Sequence, residues 1–135
     1  MAGKNKKVPQ KEVKSYIDLL YMTPLEITAK DISTQLNNTT GINNIEFWEE
    51  MNIIELELSN QNTVDFEPLA VSFKDPSDTA FVKNRNIQTI FAIHLCEEDL
   101  STVNSLFESI VGKYSGFLCA DTGDFLPVYV GSSSR

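Results

Sequence analysis

The stretch FLCADTGDFLPVYV, residues 117–130, carries the triplet Asp121-Thr122-Gly123 behind an apolar run. An aspartate so placed is half of a hydrolytic arrangement in which two carboxylates share a proton and one activates water. Few other groups in the chain could do chemistry. His94 is the single histidine, and Cys96 and Cys119 are the two thiols. A Cys119/His94 pair on neighbouring strands would supply a nucleophile and its base. Asp121, Asp124 and the run Glu97-Glu98-Asp99 would offer oxygen ligands to a hard cation.

Each of these chemistries meets an obstacle. Paired-carboxylate hydrolysis is the chemistry of aspartic proteases, which need two such triplets, from two lobes or from a homodimer. This chain has one. In the dimeric retroviral type the triplet lies near the domain start, and a flap hairpin and an apolar-Gly-Arg/Asn segment follow it. Here twelve residues follow Gly123, too few for both. Asp124 also sets a second charge where that family usually carries alanine. Asp, Thr and Gly are turn formers, and Gly123 accepts φ > 0 without steric cost. The segment DTGD therefore reads as a tight acidic loop tip between two extended pieces.

His94 falls inside an apolar strand, where a lone histidine is more often a hydrogen-bonded core residue than a base. No local motif surrounds Cys119, and a cysteine commonly serves as a small buried hydrophobe. Two cysteines and one histidine at unrelated spacing make no zinc site. The acidic loops lack the twelve-residue EF-hand pattern, so their charge reads as solvated. The sequence has no P-loop and no glycine fingerprint for dinucleotides. The expectation is a protein that is not an enzyme and uses no metal or cofactor.

Charge is the stronger signal. The net charge is −8, but Lys4, Lys6, Lys7, Lys11 and Lys14 all stand in the first fourteen residues. Residues 15–135 hold 6 basic against 18 acidic residues, a balance of −12. Such a body repels nucleic-acid phosphates and anionic lipid and attracts basic proteins, although acidity also serves solubility. In EFWEEMN, residues 46–52, Trp48 stands among Glu46, Glu49 and Glu50. Exposed, it would be an aromatic anchor ringed by carboxylates. Buried, it would be an ordinary core tryptophan, which the packing habit of large aromatics favours.

These residues must be positioned by an α+β framework. SYIDLLYM, 15–22, suits a strand, though Val13, Tyr16, Ile17 and Leu20 also have helical spacing. Thr28-Ala29-Lys30-Asp31 outlines a capping box for a helix through Ile32 and Leu36, with Thr23 as an alternative start. Ile54, Leu56 and Leu58 alternate with Glu55, Glu57 and Ser59. Val64 and Phe66 alternate with Asp65 and Glu67 after the turn SNQN. That predicts a hairpin with an acidic outer face, ended or confined to an edge by Pro68. AVSF, 70–73, would continue the strand after a break, and a short helical turn would start at Ser77. IQTIFAIHLC, 87–96, is apolar on both faces and predicts a central strand covered on each side. Leu100, Val103, Leu106, Phe107, Ile110, Val111 and Tyr114 form a helical stripe that ends near Gly116.

The expected fold is therefore a mainly antiparallel sheet with two main helices on one face, ferredoxin-like (βαββαβ) or a variant with an added strand. Residues 1–12 would be a flexible basic tail, 13–131 a single domain, and 132–135 a flexible end. The first residues show no secretory signal and no stretch has the length of a membrane span, which points to the cytoplasm. Like charges opposed on one sheet face cost stability, so their presence suggests that the face meets positive charge. The expected contact residues are Glu46, Trp48, Glu49, Glu50, Glu55, Glu57, Asp65, Glu67, Asp121 and Asp124. The expected function is a small acidic inhibitor or immunity-type protein that masks a basic partner such as a nuclease toxin. The alternative is a small-molecule-sensing or regulatory ferredoxin-like domain working as a dimer.

Overall fold

The computed structural model describes residues 14–132. The tail expected at 1–12 and residues 133–135 of the expected flexible end lie outside the described residues. Seven strands form one antiparallel sheet. They are β1 (Tyr16–Thr23), β2 (Ile42–Trp48), β3 (Ile53–Leu58), β4 (Thr63–Leu69), β5 (Thr89–Cys96), β6 (Phe117–Ala120) and β7 (Val128–Gly131). Their spatial order is β2-β3-β4-β5-β1-β6-β7. Three helices join them: α1 (Ala29–Leu36), α2 (Pro76–Asn84) and α3 (Leu100–Tyr114).

Seven strands exceed the four of a βαββαβ unit. The β2–β3 hairpin extends the sheet beyond β4, and β7 extends it beyond β6. The expectation of helices on one face holds for α1 and α3. Their Ile32, Leu36, Val103 and Phe107 pack on Leu56, Phe66, Phe91 and Ile93 in the main core. Phe107 meets Phe66 edge to face at 6.5 Å. The sequence reading gave α2 only a helical turn, yet it is a nine-residue helix capped by Asp75, with Pro76 in its first turn. It lies on the opposite face with Phe125, over Leu20, Met22, Ile90, Phe117 and Cys119.

Local rules hold at the helix starts and fail where tertiary pairing intervenes. Thr28 caps α1: its Oγ1 accepts from the Asp31 amide at 3.3 Å, and the Asp31 carboxylate accepts from the Thr28 amide at 2.9 Å. The alternative start at Thr23 is overturned. Thr23 ends β1, and its hydroxyl donates to the Tyr114 carbonyl at the end of α3. The segment read as strand or helix at 15–22 is strand, Tyr16–Thr23, and both faces of β1 are buried from Leu19 to Met22. Pro68 does not put β4 at an edge. The strand pairs with β5 through Leu69, while its pairing with β3 stops at Phe66, so the missing Pro68 N–H falls on the unpaired side. Residues 70–73 do not continue β4. Gly116 lies at φ +85, and a side chain there would strike the Met22 carbonyl oxygen, so α3 can pass into β6 only through glycine.

Candidate functional site

The period-2 alternation of side chains puts the outward residues of β2, β3 and β4 on the face away from α1 and α3. Register then aligns them. Glu46 pairs with Glu55, Glu55 with Asp65, Asp65 with His94, and His94 with Asp18. The Asp121 amide donates to the Asp18 carbonyl at 3.1 Å, which extends the row onto the end of β6. Five carboxylates and one imidazole thus cross the sheet in a single line. Glu57 and Glu67 flank it, opposite Thr63 and Ala92. Among the described residues, no helix packs on this half of the face.

The electrostatics follow from crowding. Partial burial first, and then the Asp65 charge opposite, hold the Glu55 carboxyl above its ordinary range. Burial also raises Asp65, with a hydrogen bond to Glu55 and the nearby His94 acting against it and Glu67 adding to it. Burial and the Asp18 charge raise Asp121. Asp65 Oδ1 is shut off from solvent, and among the described residues no donor reaches it. Beside it lies a hollow of about 250 Å³ lined by Asp18, Asp65, Glu67, Ala92, Ile93 and His94.

His94 is not the core residue expected from its strand. Its side chain is 50% exposed, because α2 covers β5 only near Ile90. Nδ1 lies 2.8 Å from Asp18 Oδ1, and the ring stacks on Tyr16 with centroids 5.0 Å apart. A carboxylate only accepts, so the hydrogen of this bond is on Nδ1. Trp48 is likewise not core: it is 39% exposed at the sheet edge, opposite Ile53 and on the face of the acidic row. Edge strand β2 has a neighbour on one side only, which leaves room for the indole. Glu49 and Glu50 are exposed in a 3₁₀ turn, Glu49–Met51, beside Met51 at 54% exposure. Asn52 ends that turn in the left-handed region at φ 57. Its side-chain oxygen accepts from the Ala29 amide at 2.6 Å, which ties the turn to the start of α1.

The DTGD loop is a turn, as its residue types predict, with different internal chemistry. Phe125, not Gly123, takes the positive φ, at 57°. Phe125 is held there because its ring packs on Phe81 and Phe73. Asp124 Oδ1 accepts from the Leu126 amide at 3.2 Å and lies 3.0 Å from Thr122 Oγ1, so this carboxylate organises its own loop. Of the expected contact residues, Glu46, Glu55, Asp65 and Asp121 share the row. Glu57, Glu67 and Trp48 share its face. Glu49, Glu50 and Asp124 stand apart from it.

The catalytic alternatives gain nothing from the geometry. Cys119 is buried, and burial, then the Asp121 charge, push its thiol up to about 12. It pairs with Leu20 on β1, whereas His94 pairs with Asp18, so the two do not face each other. Asp99, in the acidic run before α3, is buried and accepts from the Asn60 and Asn62 amides at 2.8 Å each. Those bonds fasten the β3–β4 turn to the start of α3. Among the described residues, no group of three or more His, Cys, Asp or Glu side chains is placed to hold a metal ion. None of the helices among these residues is long and apolar enough to cross a membrane.

The sequence reading missed Asp18, Tyr16 and the exposure of His94. The alternation of Tyr16 and Asp18 with buried neighbours was a visible signal, but only register places them beside β5 and β4. Comparison with protein-family models, with curated proteins and with solved structures finds no match, so function has to be argued from the chemistry of this face.

Proposed function

We propose that the protein is a non-enzymatic, cytoplasmic binding protein of the inhibitor or immunity type. Its acidic half-face would mask the cationic site of a basic protein partner such as a nuclease toxin. In this reading β4, β5, β1 and β6, with α1 and α3, are a ferredoxin-like kernel, and the β2–β3 hairpin widens the face it presents. The carrying observation is the uninterrupted row Glu46–Glu55–Asp65–His94–Asp18 on an uncovered sheet face. Opposed like charges cost roughly 0.2–1 kcal/mol per pair, a cost that arriving guanidinium or ammonium groups reverse. Glu57 and Glu67 widen the field that steers such a partner, and the exposed Trp48 offers an aromatic anchor at the rim.

The test is a low-salt pull-down from native-host lysate with the wild type and with the Glu55→Lys/Glu57→Lys variant. The expected result is one basic protein held stoichiometrically by the wild type, released by moderate salt and lost from the variant. Equal retention by both would remove this face from the proposal. Failure of the folded wild type to retain any protein would favour the small-molecule, dimeric reading.

A further inference from the structure

We propose that the basic N-terminal segment of this same chain, residues 1–13, docks across the acidic half-face and screens it until a more basic partner displaces it. The inference uses the face assigned above to a partner. It does not require that partner, because the contact is within one chain.

Charge complementarity singles out this occupant. Residues 1–13 contain Lys4, Lys6, Lys7 and Lys11 against Glu12 alone, while residues 15–135 carry −12. The tether also leaves the sheet in the right place. Tyr16 pairs with Cys96 at the end of β1, two residues from the row position of Asp18, or about 7 Å along the strand. Just before β1, the Lys14 ammonium donates to Asn62 Oδ1 at 2.6 Å. Asn62 belongs to the turn joining β3 and β4, the strands that carry Glu55, Glu57, Asp65 and Glu67. The chain just before β1 is thus drawn toward the turn between β3 and β4, away from β6 and β7.

Reach is sufficient. From β1 to β2 the row crosses four strand spacings, about 19 Å. Thirteen residues span at most about 45 Å when extended and average about 20 Å as a coil. A tether of that length presents its lysines at millimolar effective concentration. Exposed charge pairs are individually weak, so the segment would hold the face without closing it. It would then act as a threshold: a partner must bring denser positive charge than the tail to gain the row.

A spin label at position 3, introduced by Gly3→Cys, tests the contact in the full chain. Cys96 and Cys119 are both buried, so labelling of the native protein is directed to the new thiol. The expected result is paramagnetic broadening of the Glu55, Asp65 and His94 amide signals at low salt. It should vanish at about 1 M salt, where the Debye length is about 3 Å. It should also vanish when Lys4, Lys6, Lys7 and Lys11 are all changed to Gln. Absence of low-salt broadening on this face would overturn the proposal, as would broadening that survives the lysine changes. Broadening seen only between a spin-labelled copy and a separate isotope-labelled copy would assign the face to a second molecule and overturn it too. As a second readout, a decalysine peptide should bind the four-lysine variant about fivefold more tightly than the wild type, from four weak pairs removed as competitors. Equal affinity would sink the screening role. A pull-down that finds no partner leaves both readouts standing, so the two proposals fail separately.

Discussion

Leu56, Phe66 and Ile93 on β3, β4 and β5 are fully buried beneath α1 and α3. One residue away along each strand, Glu55, Asp65 and His94 point to the other side and stand in a row. The same strands therefore build a dense apolar core and a crowded charged surface from alternate residues. Further along the sheet this second face changes character. Under α2 and the 121–127 loop it is apolar, with Leu20, Met22, Ile90 and Cys119 buried. What covers a face, more than the strand itself, accounts for its residues. The half over β3, β4 and the end of β5 carries the charged row instead.

The contrast can be broken first on the covered side. Phe107→Ala removes a fully buried ring that meets Phe66, and it should cost about 3–5 kcal/mol in urea unfolding. A loss under about 1 kcal/mol would mean that the core under α3 is not packed as described. On the uncovered side the sign should reverse. Asp65→Asn removes the carboxylate opposed to Glu55 and beside Glu67, and it should stabilise the fold by about 0.5–1 kcal/mol. A clear loss of stability would show that the charge has a structural partner.

Mild acidification should give the smallest effect and sharpens the same contrast. Glu55, Asp65 and Asp121 all hold their protons more tightly folded than unfolded. Their contribution to stability therefore grows as pH falls from neutral through their raised pKa values. It levels off below the ordinary values of 4.5 and 3.8. Asp75, held low by its hydrogen bonds to Ser77, acts in the opposite direction, losing its contribution as pH falls through its lowered pKa. Thermal unfolding between pH 7 and pH 5 should show a larger acid gain for the wild type than for Asp65→Asn. Equal gains would remove the Glu55–Asp65 pair as the cause.

Much of this was legible in particular residues. The alternation of Ile54, Leu56 and Leu58 with Glu55 and Glu57 identified β3 and its outer acids, and SNQN marked the hairpin turn. Thr28 and Asp31 announced the start of α1, and the stripe from Leu100 to Tyr114 announced α3. Less legible were the partners of these elements. α2 has a weak apolar face, with Val82 its one buried residue, and so read as a turn. His94 read as core because apolar neighbours surround it in sequence, and Trp48 because large aromatics usually pack. Both are exposed, because their exposure depends on α2 reaching only part of β5 and on β2 lying at the edge.

By itself, then, the sequence determined which residues alternate, where helices begin, how far the body is acidic, and that Asp-Thr-Gly is a turn. Those properties depend on spacing within a few residues, where local geometry and propensity decide. Only the tertiary structure decided that Glu46, Glu55, Asp65, His94, Asp18 and Asp121 stand in one line on an uncovered face. Their alignment is set by strand order and register between segments up to 103 residues apart. Those pairings are chosen by the burial of the opposite face, and no local pattern contains that choice.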